Sequence, residues 1–210
     1  GFGFSVLSIS VLSLLIGPKT AVPLDLIVAS VNCFYLAWLM RKHILYKETI
    51  LLALLALVFL PLGTIYLRFV DSSIIIRSLG LLVILVASIS LLKAEHLRIF
   101  SSKPYQYMAG ITGGLLAGAF NIAGPPLVLY AYNCHWKLVN AKANLQFLFS
   151  VTTLMCFASF TAAGLLNWQI VGRGLLYAPI VIAFSFAGAW IASRMNTRQL
   201  TIAVNLLLLM

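Results

Sequence analysis

The sequence predicts an all-α fold, a polytopic bundle of transmembrane helices, and three observations carry that prediction. Of its 210 residues, 62% are apolar and only 9% are charged, with a mean hydropathy of +1.07. A soluble domain runs at about 45–50% apolar and about 25% charged, and a water-soluble fold of this length has too little interior to hide so much apolar surface. The apolar residues fall into eight runs, most of them close to the ~20 residues that cover a ~30 Å hydrocarbon core. The fourteen Lys and Arg, against four Asp and Glu, give a net charge of +10, and they sit singly or in short clusters between the runs. Such placement marks cationic loops of a multispan membrane protein, not a nucleic-acid surface. A cytosolic enzyme, a secreted disulfide scaffold and a disordered tail are excluded.

The runs follow in order. Gly1–Gly17 is the first, and Ala21–Met40 the second, closed by Arg41-Lys42-His43. Thr49–Val70 and Ser73–Leu92 complete the first four. The polar stretch Lys93–Tyr105, with Pro104, is the longest hydrophilic connection. Tyr107–Tyr132, Val139–Leu166, Gly174–Ser193 and a run from Gln199 make the second four. The chain opens and closes inside apolar runs, so both ends are expected to be truncated. The four-plus-four layout suggests a duplication: a first membrane repeat over 1–93, a connecting loop over 94–106 and a second repeat over 107–210. The first and fifth runs are both Gly-rich, and polar residues follow each of them, Asp25 and Asn32 in run two, Asn144 and Gln146 in run six.

The fifth run carries the strongest local signal. Asn121-Ile-Ala-Gly124-Pro125-Pro126 lies in its middle. Proline lacks an N–H and clashes with the preceding turn, so two in a row after a glycine should break the helix. Unpaired backbone groups at membrane depth are tolerated only where protein or a cavity covers them. A helix restarting at Pro125 presents free N–H groups and the positive end of a dipole, which suits an anion. The first run offers a softer counterpart from Gly3 and Ser5 to Ser10 and Ser13, without a proline, which could unwind less or not at all. The small residues Gly110, Gly113, Gly114, Ala117 and Gly118 admit a second reading, close approach to a neighbouring helix.

These residues carry a resemblance. The stretch Gly113-Gly-Leu-Leu-Ala-Gly-Ala-Phe-Asn-Ile-Ala-Gly-Pro-Pro-Leu-Val-Leu129, followed by Tyr130, resembles the TauE/SafE family of sulfite-exporter-like membrane permeases. The opening Gly1-Phe-Gly3-Phe-Ser5 and Ala21-Val-Pro-Leu24 resemble that family's first repeat, although a proline often found there near residue 10 is missing. The resemblance implies export of sulfur-containing anions such as sulfite or organosulfonates.

Charge placement bears on topology. If all eight runs cross, Lys and Arg divide seven against seven. If runs one and five dip in and return on their own side, Lys19, Arg68, Arg77 and Arg173 face one side and the other ten face the opposite one. Only the second division follows the positive-inside rule. It leaves three crossings per repeat, an odd number, which makes the repeats inverted, as in many alternating-access carriers.

The expected substrate-binding set is Gly3, Ser5, Asn32, Asn121, Gly124, Pro125, Pro126, Asn144 and Gln146, with Asn32, Asn144 and Gln146 equally readable as interhelical hydrogen-bonding residues. Asp25, the only acid inside a predicted span, is the candidate for ion coupling, with a position at the membrane interface, four residues after Ala21, as the other reading. Cys33, Cys134 and Cys156 show no ligand spacing, and His43, His96 and His135 are scattered, so no metal and no cofactor is expected. Arg77 is read as snorkelling to the surface. Aromatics such as Tyr46, Tyr105, Tyr107, Trp136 and Trp168 cluster near run ends as an interfacial belt. The expected function is a secondary transporter of small anions in a bacterial inner membrane, in contact with lipid and with room for a homodimer. The alternatives are a non-transporting assembly subunit and, lacking HExxH or GxSxG, less favoured still, a lipid-modifying enzyme.

Overall fold

A computed structural model describes residues 2–91, 102–134, 136–176 and 179. The described elements are α1 (Phe2–Ile16), α2 (Pro18–Leu39), a 3-10 turn at Arg41–His43, α3 (Tyr46–Phe69), α4 (Ser72–Leu91), α5 (Lys103–Phe120), α6 (Gly124–Asn133) and α7 (Leu138–Ala162), with a further helical stretch over 168–176. No strand occurs among the described residues. Run seven beyond 179, run eight and most of the 94–106 connection lie outside them, as do Gly1, Lys93, His96, Arg98, His135, Arg194 and Arg198.

Among the described residues three helices, α2, α3 and α7, are long and apolar enough to cross a membrane. Their outward faces remain apolar: Leu54 and Val58 on α3, Trp38 on α2 and Leu154 on α7 are all exposed. In lipid such faces are solvated, so their exposure carries no penalty.

The first run does not unwind. It is one unbroken helix from Phe2 to Ile16, and the backbone turns after it at Gly17, whose φ of 78° suits a residue without Cβ. Pro18 then starts α2, where its missing N–H costs nothing. Within α1 the Ser10 hydroxyl donates back to Val6 O at 2.7 Å. Because Ser8 of α1 meets Asp25 of α2 across that turn, the two helices form an antiparallel hairpin.

The fifth run does break. α5 ends at Phe120, and Asn121 takes the left-handed conformation at φ 54°, ψ 27°. Its N–H bonds Ala117 O at 2.8 Å, and the Ile122 N–H bonds Leu116 O at 3.3 Å. Asparagine is among the few residues that accept this conformation. The chain then reverses: a Cβ on Gly113 of α5 would lie 3.1 Å from Leu127 of α6. A merely kinked helix would separate those residues by roughly 20 Å at 1.5 Å per residue. So α5 and α6 are the two arms of a second antiparallel hairpin.

The glycines of α5 serve the close approach foreseen as their second reading. Gly110, Gly114 and Gly118 recur every fourth residue, one stripe of an α-helix. Added Cβ atoms at Gly114 and Gly118 would stand 2.3 Å from Ala56 O and 2.0 Å from Leu60 O of α3. From the other side, one on Gly63 would stand 2.1 Å from Leu115 O. The residue order, Gln106 beside Glu48, Gly114 beside Ala56, Gly118 beside Leu60, shows α3 and α5 running parallel with their backbones in contact. α7 runs the same way along α3: Asn144 meets Leu45 at one end, and Ser159 bonds Thr64 (2.8 Å) toward the other. The core between these three helices contains Leu52, Leu60, Leu148 and Phe160, each essentially fully buried.

Candidate functional site

The tip of the α5–α6 hairpin is inside the bundle. Phe120, Ile122, Ala123, Gly124 and Pro125 are all buried there. The tip ends against α2, where Asn121 Nδ2 donates to Asp25 Oδ2 at 3.0 Å. Ser8 Oγ donates to the other carboxylate oxygen, and the Ser5 hydroxyl also bonds the same group. Asp25 is 2% exposed. Four elements therefore converge, α1, α2 and the two arms of the hairpin. The level of contact is informative. Asp25 lies seven residues into α2, about 10 Å from its start at 1.5 Å per residue. The hairpin thus stops short of the Gly17 end of the bundle.

The open end of the hairpin lies on the opposite side. Gln106 Nε2 near the start of α5 donates to Glu48 O (3.5 Å), and Trp136 Nε1, just after α6, donates to the Glu48 carboxylate. Tyr130 meets the Trp136 ring edge-on at 5.7 Å. Both arms therefore begin and end beside the first turn of α3.

The donors at the tip differ from the sequence expectation in a simple way. Pro125 and Pro126 have no N–H, so the helix that starts at Gly124 cannot offer amides from those positions. The amides left over are those of Ala123 and Gly124, directly before the prolines. Both residues are buried, neither N–H has a hydrogen-bond acceptor among the described residues, and no side chain caps α6. Buried backbone N–H groups are nearly always paired, and an unpaired one costs about 1–3 kcal/mol. Two in succession at a helix N-terminus are donors suited to a negatively charged partner.

Of the expected site residues, the fold brings Ser5, Asn121, Gly124, Pro125 and Pro126 to this tip, together with Asp25. Gly3 lies in the first turn of α1, before Ser5. Asn32 is half-buried on α2, two turns beyond Asp25. Asn144 stands apart. It is fully buried on α7, its Oδ1 accepts the Leu45 N–H at 2.7 Å, and its Nδ2 has no partner among the described residues. Leu45 immediately precedes α3, so this bond sits near the open end, about 22 Å along α5 from Asn121. Gln146 is half-buried and its carbonyl receives the Ser150 hydroxyl at 2.9 Å. Sequence reasoning missed Ser8 and the Ala123 amide. Ser8 was legible in one respect: it stands almost as far before Gly17 as Asp25 stands after it, the pairing an antiparallel hairpin produces. Among the described residues no group of His, Cys, Asp and Glu is arranged to hold a metal.

Length, apolarity and helices long enough to span a bilayer place the chain among integral membrane proteins. The profile of the sulfite exporter TauE/SafE family matches residues 1–210, and the chain belongs to that family. It is similar to a protein named probable sulfite/organosulfonate exporter TauE from Cupriavidus necator, with 25% identity over 150 residues, covering 70% of this chain and 59% of that one. The chain thus spans less than two thirds of that relative's length. No solved structure matches it.

Proposed function

We propose that this chain forms the transport unit of a permease that exports small sulfur-containing or related organic anions, binding them at the tip of the α5–α6 hairpin. The single observation that carries this reading is the pair of buried, unpartnered amides of Ala123 and Gly124. They point to a ligand with acceptor oxygens, and backbone N–H groups suit sulfite, sulfonate and carboxylate alike. The Asn121 side chain and the Ser5 and Ser8 hydroxyls supply further donors. The family membership and the printed name of the C. necator relative support sulfite and organosulfonates as the first anions to try.

The hairpin enters the membrane and returns on one side. Three facts support this: both arms meet Glu48, the tip stops at Asp25, and Lys47 and Lys137 flank the contacting pair Glu48 and Trp136. That arrangement is the one under which the cationic residues divide ten against four. The two halves of the chain then act as inverted repeats over 1–93 and 107–210, one rocking against the other around the buried tip. Such a carrier occupies a bacterial inner membrane.

The test is flux in proteoliposomes made with the full-length protein and loaded with sulfite or a small sulfonate. Wild type is expected to release the anion. Replacing both prolines, Pro125→Ala with Pro126→Ala, gives the segment back two N–H groups and lets α6 extend toward Asn121, closing the donor surface. Flux is expected to fall much further than the yield of folded protein. Undiminished flux from the double variant would assign the break a scaffolding role. Absence of flux from wild type with every small oxyanion would favour the assembly-subunit reading.

A further inference from the structure

The carboxylate of Asp25 is an anion already held by the donors that the substrate needs. Asn121 Nδ2 is committed to its Oδ2 at 3.0 Å, and Ser8 to its Oδ1. Among the described residues no cationic side chain bonds it. α1 carries no ionisable side chain. On α2, Lys19 and Cys33 make no bond to Asp25. On α3, Lys47, Glu48 and Arg68 are exposed, and Tyr66 bonds Ser78. Asp71 and Arg77 at α4 are exposed, as are Arg41, Lys42, His43, Lys103 and Arg173. On α6, Tyr130 packs against Trp136. On α7, Lys142 is exposed and the Cys156 thiol bonds Ala117 O. The side chains that bond the carboxylate are Ser5, Ser8 and Asn121, all neutral donors.

A substrate anion arriving at the Ala123–Gly124 amides therefore meets a fixed negative charge on the neighbouring helix. Two like charges held close together away from water repel far more strongly than they would in solution. A proton on Asp25 removes that repulsion. It also changes the hydrogen bonding: a carboxyl group becomes a donor, and the Asn121 amide is released to the incoming anion.

We propose, resting on the anion site above, that Asp25 takes up one proton from solution as the anion binds, so that anion and proton are carried together. The proton goes to a carboxylate oxygen, no bond to carbon changes and nothing is oxidised. For a singly charged substrate the anion and proton carried together are neutral, the loaded site keeps the single negative charge of the empty one, and transport follows the combined gradient of anion and proton. Linkage makes the effect reciprocal: what the proton does for anion affinity, the anion does for proton affinity.

The experiment uses the full-length protein in lipid nanodiscs and methanesulfonate, which stays ionised throughout and contributes no titration of its own. Binding is measured by calorimetry from mildly acidic to mildly alkaline pH, in buffers of different ionisation enthalpy so that proton uptake is read directly. Wild type is expected to take up a proton on binding, its affinity rising up to about tenfold per pH unit of acidification where Asp25 titrates. Asp25→Asn is expected to bind with an affinity that no longer depends on pH and without proton uptake. Ser8→Ala, which keeps the carboxylate, should still take up a proton. Wild-type binding that is independent of pH and free of proton uptake would overturn the linkage while leaving the anion site standing, as would persistent uptake in Asp25→Asn. A requirement for sodium in place of a proton, tested by exchanging sodium for potassium, would overturn it too. Failure of wild type to bind methanesulfonate or sulfite at any pH would remove the anion site, and this inference with it.

Discussion

Gly118→Ala is the sharpest test of how the hairpin is held. The new methyl carbon would lie 2.0 Å from Leu60 O and 2.8 Å from Thr64 N, both backbone atoms of α3. A carbon and an oxygen make ordinary contact at about 3.5 Å, so the helices must separate locally by more than an ångström. Backbone inside a helix cannot rotate aside as a side chain does. Overpacking of this kind costs about 1–3 kcal/mol, and the rigid wall favours the upper part of that range. Alanine returns up to about 1 kcal/mol through helix propensity. The net expectation is a loss of about 1–2 kcal/mol, several degrees in melting temperature for a chain of this size. Gly80→Ala on α4, where a Cβ meets nothing within 4 Å, is the control and should be neutral or slightly stabilising. Gly114→Ala clashes with Ala56 O on the same stripe, one turn away. One outward shift of α5 relieves both clashes, so the double variant should lose less than the sum of the singles. The assay is thermal unfolding in a fixed detergent, read by loss of the monodisperse chromatographic peak. The reasoning is refuted if Gly118→Ala melts with wild type, or if the two losses simply add.

Further expectations concern the open end of the hairpin and the α3 start. Cysteines introduced at 47 and 137, in a background without Cys33, Cys134 and Cys156, should label from the same face of intact cells; labelling from opposite faces would remove the re-entrant arrangement. Asn144→Ala leaves the Leu45 N–H without its acceptor and should cost about 1–3 kcal/mol in thermal unfolding. Trp136→Phe keeps the edge contact with Tyr130 but loses the hydrogen bond to Glu48, and because that bond is exposed the loss should be about 1 kcal/mol or less. If Trp136→Phe melts several times further down than that, the Glu48 contact is more than a surface tie.

Much of the candidate site was legible because its signals are local. Gly124-Pro125-Pro126 breaks a helix wherever it occurs, since ring closure and the missing N–H act within one turn. Asp25 stood out because a carboxylate among apolar residues has no local reason to be there. The α5 glycines admitted two readings from sequence, and α3 decided between them: Gly110, Gly114 and Gly118 face its backbone, whereas Gly113 faces Leu127. The residues that sequence reasoning missed are those whose role depends on a partner far along the chain. Ser8 acquires meaning only opposite Asp25, and the Asn121 amide reaches that same carboxylate across 96 positions.

Hydrophobic runs, cationic connections and proline placement by themselves determined that this chain is a helical membrane protein whose fifth run is interrupted at Asn121–Pro126, because burial in lipid and the loss of a backbone donor are properties of a residue and its nearest neighbours. Tertiary structure alone decided that the tip of this interruption rests on Asp25 and that its spare donors are the Ala123 and Gly124 amides. Those outcomes depend on how closely α5 approaches α3 and on which side chains meet across separate helices, and no local preference encodes either.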